Sequence, residues 1–185
     1  VISQKWAERK RKILIIARPT VYIDDVQLFP DIKNKQVLAR ITINNITNTT
    51  GKASVNLKAI SSYPGAKKIK PLTKEFEIKE KSNEFEIVYP MGDHHLLWNE
   101  FHPNLYSLEV EVASNGEKDT KKITFGMREF STRGTQFTIN GQPTFLRGTL
   151  ECAIFPKTGY PPTDVEAWIH IFKVCRSYGL NHIRF

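Results

Sequence analysis

Apolar residues in this chain recur with a period of two over its first two thirds, then with a period near 3.6 in one later stretch. That switch restricts the possible folds more than any other feature. From Thr20 to about Phe125, short alternating runs are separated by turn residues. Val21-Tyr22-Ile23 and Val26-Gln27-Leu28 lead to Pro30-Asp31, expected as a turn. Residues 37–43 alternate cleanly and end in the polar cluster Asn44 to Gly51; residues 53–60 alternate again and break at Pro64-Gly65. Phe76-Glu77-Ile78 and the runs 85–88, 108–112 and 121–125 complete the set, with Asn115-Gly116 as a tight turn. About seven strands at intervals of roughly 8–15 residues, with no helix between them, predict an immunoglobulin-like β-sandwich. The alternation gives each sheet one dry and one wet face, as two packed sheets require.

Beyond the sandwich the pattern changes. Phe137-Thr138-Ile139 and Thr144-Phe145-Leu146 flank Asn140-Gly141, the strongest short hairpin signal. Pro161-Pro162 precedes Thr163-Asp164-Val165-Glu166, which reads as a capping box with Thr163 and Glu166 reaching for each other's amides. Val165, Trp168, Ile169, Phe172 and Cys175 then form one apolar face at helical spacing, and Gly179 stops the helix. A helix from about Asp164 to Tyr178 is expected, followed by the strand-like His182-Ile183-Arg184-Phe185. Strand, helix and strand make a βαβ unit, which belongs in a parallel sheet covered by helices. A single unit cannot bury its own strands, so the chain is expected to be a fragment of a longer protein.

Several function classes are excluded on composition. No apolar run approaches the roughly 20 residues of a membrane span; the longest is Ile13 to Ala17. Cys152 and Cys175 make neither a disulfide framework nor a zinc site, and no cofactor is called for. The net charge of +8 rests partly on Arg9-Lys10-Arg11-Lys12 and Lys67-Lys68. These clusters are short, far apart and not interleaved with stacking aromatics, so they read as solvated surface and not as a nucleic-acid site. Asn45-Ile46-Thr47 and Asn48-Thr49-Thr50 match the glycosylation sequon.

Four segments carry a family resemblance. Leu97-Trp98-Asn99-Glu100-Phe101-His102-Pro103-Asn104-Leu105-Tyr106 resembles the Trp…Pro-x-Leu-Tyr signature of the sandwich domain of glycoside hydrolase family 2, the group of β-galactosidases, β-glucuronidases and β-mannosidases. Phe125-Gly126-Met127-Arg128 is similar to that family's exit from the sandwich. Residues 137–148 resemble its hairpin and first barrel strand, and residues 181–185 its second barrel strand. The resemblance implies three parts. Residues 1–19 would be the tail of a preceding jelly-roll sugar-binding domain, with Leu14 to Pro19 as its last stretch. Residues 20–126 would be the sandwich, and 127–185 a hairpin and the first βαβ segment of an incomplete (β/α)8 barrel. The fold class is therefore mainly β, with an immunoglobulin-like sandwich ahead of one unit of a truncated barrel. No secretory signal begins at Val1, and a fragment need carry none; a periplasmic or secreted parent fits the resemblance.

The implied parent hydrolyses O-glycosidic bonds with retention, using two carboxylates about 5–5.5 Å apart. In the family these lie at the ends of the fourth and seventh barrel strands, and this sequence reaches the second. No catalytic residue is therefore assigned. Asn99-Glu100 imitates the family's Asn-Glu acid but falls inside the sandwich signature, where it has no partner carboxylate. Barrel active sites sit at the C-terminal ends of the strands, which makes Glu151, Cys152 and Arg184 candidates for the sugar-facing wall. The family commonly carries a His near the position of Cys152, and that departure counts against galactosidase-like specificity. Asp93-His94-His95 with His102 offers metal-ligand types, but adjacent strand histidines point opposite ways and no further ligands are evident. Trp98 and Tyr106 are expected to bury area and tie a loop to backbone.

Two rival readings are a free-standing carbohydrate-binding or adhesive sandwich, and a small complete enzyme built on Glu100, His102 and Glu151. The partner implied by the resemblance is carbohydrate, bound by the full-length parent. The apolar helix face and the bare strand edges also predict self-association or a helix folded back onto the sandwich.

Overall fold

A computed structural model describes residues 17–47 and 49–185; most of the segment assigned to a preceding domain lies outside them. Seven strands form two antiparallel sheets. The first has the order β1 (Val21–Asp31), β2 (Gln36–Asn45), β5 (Lys81–Pro90). The second runs β4 (Leu72–Ile78), β3 (Gly51–Ser61), β6 (Tyr106–Ser114), β7 (Glu117–Phe125). No helix interrupts them, and the whole is the immunoglobulin-like sandwich that the alternation predicts. Burial alternates residue by residue along β2 and β6, because successive side chains of a strand point to opposite faces.

The first two runs are one strand in the structure. A bulge between Ile23 and Asp25 shifts the register, so both Ile23 and Val26 point into the core. The turn expected at Pro30-Asp31 lies one step later: Pro30 pairs with Val37, Asp31 pairs with Gln36, and the reversal spans residues 32–35. The Asp31 carboxylate explains the displacement. It accepts hydrogen bonds from the amides of Lys33 and Asn34 and from Asn34 Nδ2, so it closes the turn from outside.

Ile41, Ile43, Leu57, Leu108 and Val110 fill the space between the sheets with essentially no exposure. Each such side chain is worth roughly 1.5–3 kcal/mol when fully buried. Tyr89 on β5 is a phenol buried in this core. Its hydroxyl accepts from Ala59 N on the opposite sheet (3.1 Å) and donates to Lys70 O (3.0 Å). Burial holds its pKa above the ordinary tyrosine value, so the phenol stays protonated and able to donate.

After Met127 come β8 (Phe130–Arg133), β9 (Gln136–Ile139) and β10 (Gln142–Pro143), a small antiparallel sheet in the order β10-β9-β8. Asn140 and Gly141 have φ of 53° and 76°, the left-handed pair that a two-residue hairpin needs. That loop length places Gln142 opposite Ile139. The second arm is therefore Gln142-Pro143, extended by Thr144 N donating to Phe137 O, and not residues 144–146.

Next, β11 (Gly148–Leu150) pairs in parallel with β12 (His182–Arg184) across the helix α1 (Val165–Ser177). The N-cap differs by one residue from the expected box. Asp164 occupies it and accepts from Ala167 N at 2.8 Å, since a carboxylate at this position satisfies an orphan amide and faces the positive end of the helix dipole. At the other end, Gly179 N donates to Arg176 O and Leu180 N to Cys175 O, the paired bonds of a Schellman motif. The helix buries none of its residues. Ile169 and Phe172 remain 45% exposed, so the apolar face expected to bury itself is only partly covered. Trp168 is half-buried by the rings of Phe155, Phe172 and Phe185, with Nε1 donating to Pro162 O.

Candidate functional site

The loop between β5 and β6 is where the sandwich meets everything after it. Leu96 N donates to Tyr106 Oη at 2.6 Å, and the buried Tyr106 ring stacks on Phe125. Trp98 N donates to Met127 O, which sets the loop beside the chain leaving β7. At Gly126 a Cβ would fall 2.9 Å from Trp98 Cβ, so only glycine admits the tryptophan there. Two residues on, the Arg128 guanidinium lies 4.6 Å from the centre of the Trp98 ring. The Trp signature and the Phe-Gly-x-Arg signature are thus two halves of one contact. Asn140 of the hairpin turn completes it: its Nδ2 donates to Trp98 O and its Oδ1 accepts from Glu129 N.

Glu100, two residues after Trp98, faces the βαβ unit. Its Oε2 accepts from Asn181 Nδ2 in a short contact and from Arg147 Nη2 at 2.9 Å. Its backbone oxygen accepts from Arg176 Nη2 at 3.4 Å. Arg147 immediately precedes β11 and Asn181 immediately precedes β12. Asn181 Oδ1 accepts from Arg147 N, and the amides of Asn181 and His182 donate to Arg147 O. The Glu100 side chain is only 20% exposed. The Asn181 hydrogen bond, with the Arg147 hydrogen bond and charge behind it, holds its pKa below the ordinary value despite burial. A general acid near neutral pH needs a raised pKa, so this carboxylate is an ionised acceptor and not a proton donor. Glu100, Arg147 and Asn181 line part of a cavity of about 630 Å³ between the loop and the unit, together with Trp98, Phe172 and Phe185.

The sequence-derived candidates stand at the other end of the strands. Glu151 N donates to Arg184 O at 2.8 Å, so the parallel ladder carries Glu151 and Arg184 out side by side. Glu151 Oε1 turns back to accept from Ala153 N, and Ala153 has φ of 58°, an uncommon conformation for a residue with a Cβ. This turn leaves Cys152 and Arg184 exposed and Glu151 half-exposed. Glu100 and His102 belong to the loop that meets the N-terminal ends of β11 and β12, so they do not join Glu151 in one site. The small-enzyme reading loses its constellation.

The histidine loop disperses its ligands. Asp93 binds Lys35 at 2.6 Å, His94 meets Lys67 Nζ, and His95 Nδ1 meets Gly92 O. Among the described residues, no three His, Cys, Asp or Glu side chains gather in metal-binding geometry. Asn45 of the first sequon is buried, and its amide is used up: Nδ2 donates to Thr49 O and Lys79 O, while Oδ1 accepts from Thr47 N and Oγ1. The Asn-x-Thr pattern at this position is turn chemistry. Sequence reasoning missed the roles of Arg147, Asn181 and Asn140, since each acts through a partner more than thirty residues away. The one local signal was their position, just ahead of a strand or in a hairpin turn.

Comparison with known proteins gives a consistent result. The model of the family described as glycosyl hydrolases family 2 matches residues 21–128. Over 117 residues the chain is 32% identical to a putative β-glucuronidase of Formosa agariphila, covering 62% of this chain and 13% of that protein. Over 166 residues it is 32% identical to a β-galactosidase of Thermoanaerobacter pseudethanolicus, covering 88% of this chain and 22% of that protein. The chain therefore spans between an eighth and a quarter of the length of these relatives. Among solved structures, the β-glucuronidase of Bacteroides uniformis superposes with a TM-score of 0.75 at 18% identity, over 90% of this chain and 21% of that one. A family 2 β-galacturonidase from Eisenbergiella tayi, bound to galacturonate, gives 0.74 at 19%, over 90% and 29%. At such identities the two structures speak for the fold.

Proposed function

The chain belongs to glycosyl hydrolase family 2, and from that membership we propose that it is the sandwich module and first barrel unit of a retaining glycoside hydrolase acting on O-glycosidic bonds. In this reading residues 1–19 end a sugar-binding domain, 20–126 are the structural module, and 127–185 open the barrel. The observation that carries it is the parallel β11–β12 pair with its crossover helix, joined by a hairpin to an immunoglobulin-like sandwich. A parallel pair bare on one side needs further strands and helices, and relatives about four to five times longer have room for them.

Carbohydrate is the proposed partner of the complete enzyme. Glu151, Cys152 and Arg184 sit where barrel enzymes hold substrate, at the C-terminal ends of the strands, and they form one wall of the proposed sugar site. The two carboxylates that protonate the leaving oxygen and attack the anomeric carbon lie elsewhere in the parent, and none of the three wall residues takes either role. The free-standing binding module is the weaker reading. Among the described residues the exposed aromatics of the sandwich are Phe29 on a strand and Tyr63 and Phe101 on two loops, with no exposed Trp among them.

The test uses the gene that encodes this segment. The complete product is expected to hydrolyse an aryl glycoside, and Arg184→Ala should lower kcat/KM by about a hundredfold or more, as loss of a charged group in a site does. The 185-residue chain alone should show no turnover above buffer. A stop codon directly after Phe185, or turnover by the short chain that disappears in Glu100→Gln, defeats the proposal.

A further inference from the structure

Glu100 belongs to the sandwich, yet its contacts lie with the barrel unit, and they reach all three of its elements. Oε2 meets Arg147 ahead of β11 and Asn181 ahead of β12, and the backbone oxygen meets Arg176 on α1. Among the described residues Arg147 is the only ion-pair partner of Glu100. The two strands are short, three residues each, and neither has a fully buried side chain. Little apolar packing therefore fixes where β11 and β12 stand relative to the sandwich. What fixes them is polar, directional and concentrated on one carboxylate. Arg147 is in turn locked by Nε donating to Gly179 O, and Asn181 Nδ2 also reaches Phe145 O, so the carboxylate sees two preset donors.

We propose that Glu100 is a positioning residue: from the sandwich loop it sets the starts of the first two barrel strands, and so fixes Glu151 and Arg184 at their far ends. The function assigned to that far end rests on the reading above; the positioning itself does not. β11 and β12 each cover about 10 Å between the Glu100 contacts and the wall residues, at roughly 3.3 Å per residue. A strand is stiff over that length, so a displaced start is a displaced end. The charge is part of the device, because both donors favour the carboxylate over the neutral acid. Among the described residues, the charged or titratable groups around it are Arg147, Cys175 and Arg176 on α1, and His182, all of which line the same cavity. The His182 ring packs against Gly148, where a Cβ would approach it to 2.9 Å, so the two strand starts also touch each other.

Amide hydrogen exchange on the 185-residue chain tests this site by site. Three reporters matter: Asn181 N and His182 N, which donate to Arg147 O, and Glu151 N, which donates to Arg184 O. Ile41 and Val110 in the sandwich core serve as internal controls. Glu100→Ala should raise exchange at all three reporters by at least about tenfold, since charged hydrogen bonds are lost, and leave the controls unchanged. Glu100→Gln, of the same shape, should give a smaller rise. After correction for intrinsic exchange, protection at the reporters in the parent chain should fall as pH drops below the ordinary carboxylate value of 4.5. In Glu100→Gln that pH dependence should be flat. Unchanged reporters in Glu100→Ala, or an equally steep pH profile in Glu100→Gln, overturns the proposal. If Glu100→Ala loosens the controls as well, the Gln variant and its pH profile decide. Because the readout needs no sugar, loss of glycosidase activity from the proposed function leaves this result standing, and the reverse.

Discussion

The sandwich and the segment after Met127 follow the same local rules of strand pairing but keep their positions by different means. Among the described residues, every buried apolar side chain lies between Val21 and Met127, and past Met127 Thr138 alone is buried. The sandwich closes on itself, two sheets each supplying the other's dry face. The βαβ unit has one parallel pair and one helix, with Trp168, Phe172 and Phe185 gathered on a face that nothing covers fully. Its position relative to the sandwich comes from the hydrogen bonds of Glu100, while Trp98 and Asn140 hold the hairpin. The difference shows how one chain can hold a module with its own closed core beside a unit that has none.

The sharpest way to break this contrast is a matched pair of core deletions. Leu57→Ala in the sandwich should cost about 2–5 kcal/mol in denaturant unfolding, the usual range for a buried leucine; Leu57 has no exposure. Phe172→Ala, at a 45% exposed position, should move the same midpoint by less than about 0.5 kcal/mol. Equal losses would show that the two regions unfold as one cooperative body. Light scattering adds a second arm. The exposed apolar face predicts that the 185-residue chain associates while a chain ending at Ser131 stays monomeric, and two monomers would remove that expectation.

Next in size is the junction. Gly126→Ala puts a methyl group 2.9 Å from Trp98 Cβ, an atom close to the backbone that cannot swing aside. Overpacking of this kind costs about 1–3 kcal/mol. Circular dichroism melts should show the loss, and the near-ultraviolet signal of Trp98 should change with it. Gly141→Ala, at a φ of 76° in open space, bears only on the hairpin and should leave that signal intact.

How far the sequence reached follows the same division. Strands such as β2 and β6 were legible because burial alternates along them with no exception, so periodicity alone finds them. The Asn-Gly turns were legible because two consecutive left-handed residues restrict the choice of amino acid. Asp164 was misread in favour of Thr163, since both are good caps and one position separates them. β8 was missed because Phe130-Ser131-Thr132-Arg133 has no buried residue to set its period. The candidate site was half legible: the ends of β11 and β12 follow from topology, but the link from Glu100 to Arg147 and Asn181 depends on a loop meeting strands 47 and 81 positions away. No local pattern encodes that.

Helix capping gives a smaller, local effect. Asp164→Ala should cost about 1 kcal/mol of helix stability, visible as faster exchange in the first turn of α1, with the sandwich melt unmoved. A shift of the sandwich melt by the same amount would again argue for a single cooperative body.

The smallest expected effect sharpens the contrast most finely, because it sets one cation–carboxylate pair against another. Lys122 and Glu109 face each other on neighbouring strands and approach to 3.0 Å, with side chains 66% and 32% exposed. Arg147 and Glu100 approach to 2.9 Å with 39% and 20% exposed. The surface pair holds a long flexible side chain in water, where the Coulomb gain is screened and offset by lost rotamer freedom, so it is worth about 0.2–1 kcal/mol at most. Its strands are already fixed by the ladder on either side and by the core beneath. Lys122→Gln should therefore change the unfolding midpoint by no more than a few tenths of a kcal/mol, and 1 M salt should erase even that. Glu100 has a second donor in Asn181 and a drier setting, and the strands it contacts have no core beneath them. Glu100→Gln should leave the sandwich midpoint nearly unchanged and still loosen β11 and β12 in 1 M salt, where the Lys122 variant is silent. If Lys122→Gln loosens the βαβ unit as much as Glu100→Gln does, the sandwich does not guide that unit through Glu100, and bulk charge accounts for the coupling.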